Sequence, residues 1–108
     1  MSISERIRDE VSGWEGTESR LHRFGGVEFR VNGHEIGHLH GDRLADLPFP
    51  RKVREELVSE GRAQTHHVLP RTGWVSYRIR DEEDVDGALE LFRRNYERLT
   101  AREKSANA

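Results

Sequence analysis

The chain has 108 residues, a length that suits one domain built around one core. Apolar residues make up 33% of it and charged residues 35%, so the core must be thin, of the kind a sheet makes when helices cover one face. Eighteen basic against twenty acidic residues leave a formal charge of −2, which argues against a global attraction to nucleic acid or anionic lipid, and the lack of cysteine removes disulfides, thiolate metal sites and thiol nucleophiles together. Any metal would have to be held by imidazole and carboxylate. No segment approaches the ~20 apolar residues of a membrane span, and the polar opening MSISERIRDE is unlike a secretory signal, so the chain reads as soluble and cytoplasmic.

Ser2 with Glu5 forms a capping-box pattern, and Ile3, Ile7, Val11 and Trp14 recur at helical spacing, which predicts a helix over about residues 3 to 13 closed by Gly13. TESRLHRF (Thr17 to Phe24) and VEFRVN (Val27 to Asn32) read as strands separated by Gly25-Gly26. In the second, Val27, Phe29 and Val31 face one way, Glu28 and Arg30 the other.

Asn32-Gly33 is a strong hairpin signal, because a type I′ turn needs positive φ at both central residues. It decides how the stretch NGHEIGHLHGD is read. The letters H-E-x-x-H on a helix would announce a zinc protease, but a helix here would carry Gly33, Gly37 and Gly41, each costing ~1 kcal/mol relative to alanine. A strand carries no such penalty, and the protease reading is rejected. A two-residue loop pairs Val31 with His34, Phe29 with Ile36 and Val27 with His38. His34, Ile36, His38 and His40 are then expected on the apolar face of Val27 and Phe29, with Glu35 opposite Arg30 on the other.

DRLADLPFP, with two prolines, reads as irregular. Pro50 can open a helix that runs to about Glu60, with Val53, Leu57 and Val58 apolar and Gly61 as its stop. AQTHHVL (Ala63 to Leu69) and WVSYRIR (Trp74 to Arg80) read as strands joined by PRTG. Asp81 caps a last helix striped by Val85, Ala88, Leu89, Phe92, Tyr96 and Leu99, with RRNYER as a solvated face. The predicted fold is a single α+β domain over residues 1–101, a mainly antiparallel sheet with N-terminal, middle and C-terminal helices packed largely on one face, followed by a disordered tail at 102–108.

Five of the six histidines fall in two clusters, His34, His38 and His40 on one strand and His66 and His67 on another. Two imidazoles at i and i+2 can share a ligand, and a third from a neighbouring strand completes a three-nitrogen site. The plain alternative is that they are strand histidines satisfied by backbone carbonyls or water. A four-residue PRTG loop pairs Leu69 with Trp74 and His67 with Ser76, which favours His67 over His66 for the site, although a one-residue slip would exchange them. Trp74 can floor a ligand pocket. Asp42 and Asp46 can orient imidazoles or ligate a metal, though aspartates in turns commonly cap backbone amides.

The pattern E-I-x-H-x-H at Glu35, Ile36, His38 and His40, then Gly61, His67-x-Leu69, Trp74, the acidic pair Glu82-Glu83 and Tyr96, resembles the luciferase-like domain shared by small bacterial proteins and fungal luciferases, over roughly residues 26 to 97. The resemblance implies oxygen-dependent oxidation of a hydroxypyrone without an organic cofactor. On that reading His38 or His40 takes an enol proton, His67 donates to the developing oxyanion or peroxide, and Glu35 holds an imidazole tautomer, although hairpin alternation turns Glu35 away. Glu35, His66, Trp74 and Asp42 are the expected ligand contacts. Light emission does not follow from a domain name, because function resides in the site. Three readings stand: a histidine-lined pocket for a small aromatic or enolic ligand with cofactor-independent oxygenation; a module holding a divalent metal ion on His38, His40 and His67; and a noncatalytic adaptor or nucleic-acid-binding domain, which the near-neutral charge disfavours.

Overall fold

Among residues 1–21, 26–69 and 71–107, which the computed structural model describes, the chain forms α1 (Ile3–Ser12), β1 (Thr17–Leu21), β2 (Val27–Val31), β3 (His34–His40), β4 (Leu44–Pro48), α2 (Arg51–Ser59), β5 (Gln64–Thr65), β6 (Trp74–Arg78), a 3-10 turn (Glu82–Asp84) and α3 (Val85–Asn107). The strands make one antiparallel sheet in the order β1-β2-β3-β4-β6-β5, and the fold is α+β. The part of the first predicted strand beyond Leu21, and Gly25 of its closing pair, lie outside the described residues. No helix among the described residues is long and apolar enough to cross a membrane.

The helix signals act as their chemistry requires. Ser2 Oγ accepts the Glu5 amide at 3.1 Å at the start of α1, whose Ile7 and Val11 are fully buried. Gly61, with φ +72°, closes α2. Asp81 accepts the Glu83 amide at 3.0 Å ahead of α3, which buries Val85, Ala88, Leu91, Phe92 and Leu99. The core lies between these helices and one sheet face, where the Phe29 and Phe92 rings meet edge to face with centroids 5.5 Å apart. The helical backbone of α3 continues to Asn107, past the end of the apolar stripe at Leu99.

The β2–β3 hairpin turns at Asn32 (φ 52°) and Gly33 (φ 78°), the two left-handed residues a type I′ turn demands. Next to the turn the expected register holds, Val31 facing His34 and Arg30 facing Glu35. Beyond it the register shifts: Phe29 faces Gly37, not Ile36, and Val27 faces Leu39, not His38. Ile36 is the extra residue of a β-bulge. It follows that Ile36 and Leu39 both reach the core, while His38 and His40 turn to the opposite face, contrary to their expected place beside Val27 and Phe29.

Two features of α3 hold the bulge. A Cβ on Gly37 would lie 2.9 Å from the Phe92 ring, the Leu47 side chain and the Asp46 carbonyl, so only glycine fits. Asn95 donates from Nδ2 to the Ile36 carbonyl at 2.7 Å and to the Pro48 carbonyl at 2.9 Å. Asn95 is fully buried, which corrects the reading of RRNYER as wholly solvated.

Two further corrections concern strands. DRLADLPFP contains β4, a central strand, with Ala45 and Leu47 in the core. Its prolines fall at the strand's last residue and at the α2 cap, where neither interrupts the ladder. Conversely, AQTHHVL pairs only at Gln64 with Ser76 and Thr65 with Val75, instead of His67 with Ser76. The chain leaves the sheet at His66 because the His66 ring takes the Val68 and Leu69 amides for itself, at 3.1 and 3.0 Å.

Candidate functional site

On the face turned away from the core, a cross-strand row brings His38 of β3 beside Asp46 of β4, and Asp46 beside Ser76 of β6. His40 follows His38 on the same face, and His66 enters from the loop after β5. Asp46 is the centre. Its Oδ1 accepts the Ser76 hydroxyl at 2.6 Å, and its Oδ2 lies 2.9 Å from His40 Nε2 and 3.5 Å from the Nε2 atoms of both His38 and His66. One buried carboxylate oxygen thus gathers three imidazoles.

The second nitrogen of each ring decides its chemistry. His38 Nδ1 donates to Glu35 Oε2 at 2.7 Å. The bulge makes this contact possible, since it places residues three apart on one face, where unbroken alternation turns Glu35 away. His66 Nδ1 accepts two backbone amides, so the neutral ring carries its proton on Nε2, toward Asp46.

Electrostatics follow the same contacts. Burial pulls the His38 pKa down, but the bonds to Asp46 and Glu35 outweigh it and raise the value from 6.5 to about 9. Burial works equally against ionisation of Asp46, yet the His38 and Ser76 bonds hold its carboxyl well below the usual carboxylate range. His66 moves the other way: burial lowers its pKa, and the neighbouring imidazoles add to the effect against the opposing charge of Asp46. Near neutral pH the site holds an imidazolium at His38, a carboxylate at Asp46 and a neutral donor at His66.

Trp74 closes one wall, its ring 5.6 Å from His38 and 5.8 Å from His66. With His67, Val68 and Leu69 it completes an open pocket of about 440 Å³. Larger clefts, of about 560 and 680 Å³, lie around Arg62, Tyr77 and Arg80 and around Arg93 and Tyr96. Their polar groups are largely paired among themselves, as in Arg80–Asp84 and Arg93–Glu97, and the convergence of titratable side chains singles out the histidine pocket.

Of the residues expected at the site, the structure assembles Glu35, His38, His40, His66 and Trp74. His67 is exposed at the rim, stacked on His66 at 4.4 Å; both rings bring a nitrogen near Asp46, and His66 Nε2 lies 3.5 Å from its Oδ2. Asp42 does not reach the pocket. Its carboxylate accepts the Ser4 amide at 2.7 Å in the first turn of α1. Asp46 is hard to single out in the sequence because the prolines of its segment suggest a loop, although Ala45, Leu47 and Phe49 alternate around it as in a strand. No sequence signal marks Ser76.

A family model described as Luciferase domain matches residues 33–95, more than half of the chain. The chain belongs to the Luciferase domain family. The matched stretch of this Luciferase domain opens at Gly33 in the hairpin turn and ends at Asn95, the residue that pins the bulge, and it contains every member of the histidine cluster. No curated protein and no solved structure matches the chain.

Proposed function

We propose that this Luciferase domain protein binds a small, flat aromatic or enolic molecule in the histidine pocket and promotes its reaction with dioxygen. The observation that carries the reading is the convergence of three imidazoles on Asp46 beneath a Trp74 wall. Trp74, Val68 and Leu69 offer apolar surface to a planar ring, and the polar floor offers both a proton acceptor and donors.

In this proposal His40, whose Nε2–H is held by Asp46, accepts the enol proton at Nδ1. The electron-rich enolate carbon then forms a carbon–oxygen bond to dioxygen, which is reduced to a peroxide anion on the ligand. His38, kept cationic between Glu35 and Asp46, and the Nε2–H of His66 face the charge as it develops, and the His38 imidazolium supplies the proton that neutralises it, becoming neutral while His40 holds the proton taken from the enol. His67, stacked on His66, completes the rim. No organic cofactor enters this scheme.

Oxygen consumption with a simple hydroxypyrone tests it. The expected result is uptake that depends on both substrates and falls about 10²-fold or more in His40→Ala, with Trp74→Ala raising KM more than it lowers kcat. Absence of uptake, or uptake unchanged in a His38→Ala, His40→Ala double variant, would remove the assignment.

A further inference from the structure

We infer that the pocket floor is also a binding site for one divalent first-row transition-metal ion, ligated by His38, His40 and Asp46. The inference rests on the pocket being the functional site and adds to it the class of cofactor it would take.

Geometry carries it. The ligating atoms of His38, His40 and Asp46 all lie within 4.8 Å of one another, with Asp46 Oδ2 at 2.9 Å from His40 Nε2 and 3.5 Å from His38 Nε2. Donors on a single ion with bonds of about 2.1 Å sit roughly 3.0–3.4 Å apart, so an ion fits among these atoms with small side-chain shifts. Two imidazoles and one carboxylate on one side of an ion leave its remaining positions open, here toward the pocket. The outer contacts are already those of a ligand set. Glu35 takes the Nδ1–H of His38 at 2.7 Å, which leaves Nε2 as the ligating nitrogen, and Ser76 occupies Asp46 Oδ1 at 2.6 Å, which leaves Oδ2. Among the described residues no lysine or arginine lines the pocket.

Asp46, His66 and His67 form a second group at comparable spacing. The tautomer of His66 decides against it. With Nδ1 accepting the Val68 and Leu69 amides, Nε2 keeps its proton and cannot bind a metal until both bonds break. His66 is left as a hydrogen-bond donor beside the ion. This reading and the metal-free scheme use the pocket alike and differ in what carries positive charge beside Asp46.

The full chain, stripped with a chelator and dialysed, is titrated with Co²⁺ and Zn²⁺ by calorimetry and, for Co²⁺, by its visible ligand-field spectrum. The expected result is one ion per chain, with affinity reduced at least about tenfold in Glu35→Gln and more in His40→Ala and Asp46→Asn, while His67→Ala binds as the parent does. His40 is half-exposed, so His40→Ala should fold, and a matching circular-dichroism melt checks each variant. A parent chain that shows no stoichiometric Co²⁺ spectrum overturns the inference, as does binding lost in His67→Ala and kept in His40→Ala. Quenching of Trp74 by a hydroxypyrone in the stripped protein reports the pocket separately: quenching without metal binding ends the metal inference alone, and metal binding without quenching ends the ligand reading alone.

Discussion

Replacing Asp46 with alanine is expected to destabilise the protein by about 3–5 kcal/mol, the cost of removing one partner from a buried ionic cluster. Asp46 is 1% exposed and makes the contacts that hold the site face together. Without it the Ser76 hydroxyl loses its acceptor, the imidazolium of His38 loses one of its carboxylate partners, and His40 and His66 lose the oxygen on which they converge. Asp46→Asn separates charge from shape, since its amide oxygen can still accept the Ser76 hydroxyl. It should cost less, and it should bring the His38 titration down from about 9, because the bond to Asp46 is the strongest influence holding it up. Urea denaturation of both variants near neutral pH measures the difference. A loss below about 1 kcal/mol for Asp46→Ala would mean that the imidazoles are positioned by something else.

Asn95→Leu, which keeps the bulk of the side chain and removes its amide, is expected to cost about 1–3 kcal/mol, since the buried Ile36 carbonyl loses the Asn95 donor and the part-buried Pro48 carbonyl is left with the longer bond from Arg98 at 3.5 Å. Those carbonyls belong to Ile36 in the bulge and Pro48 at the end of β4, so the effect should not stop at stability. If the bulge relaxes, Glu35 turns away from His38 and the site loses the carboxylate that fixes that ring. Binding of any pocket ligand, metal ion included, should therefore weaken in Asn95→Leu by more than in Leu99→Ala, a core truncation on the same helix away from the bulge. Hydrogen exchange would show the difference as faster exchange of the Ile36 to Leu39 amides. Equal weakening in the two variants would reduce Asn95 to an ordinary packing residue.

The features legible in the sequence are those whose physical cause is local. Asn32-Gly33 announced its turn because left-handed backbone is costly for other residue types, and that turn was enough to reject the helical H-E-x-x-H reading. Ser2, Asp81 and Gly61 marked helix ends by side-chain or backbone chemistry within a few residues. The bulge had no such local mark. It exists because Phe92 fills the space above Gly37 and because Asn95, 59 residues along the chain, captures the Ile36 carbonyl. Strict alternation therefore put His38 and His40 on the wrong face and kept Glu35 from His38. Asp46 was hidden by prolines that read as strand breakers, yet stand where a strand ends and a helix begins. His66 joins His67 at the site because of where the chain leaves the sheet, which is fixed by the His66 ring binding its own downstream amides and not by the length of the PRTG turn.

The central physical claim is that a single buried carboxylate organises three imidazoles, two of which, His38 and His66, have a defined protonation. Long-range proton–nitrogen correlation NMR of the histidine rings in chelator-treated protein, followed from acidic to alkaline pH, reads this directly. His66 is expected to be neutral near pH 7 with an unprotonated Nδ1 and a proton on Nε2, and His38 to keep protons on both nitrogens until about pH 9. If His38 and His66 instead titrate together near the ordinary histidine value of about 6.5, or if His66 carries its proton on Nδ1, the cluster around Asp46 does not exist as described.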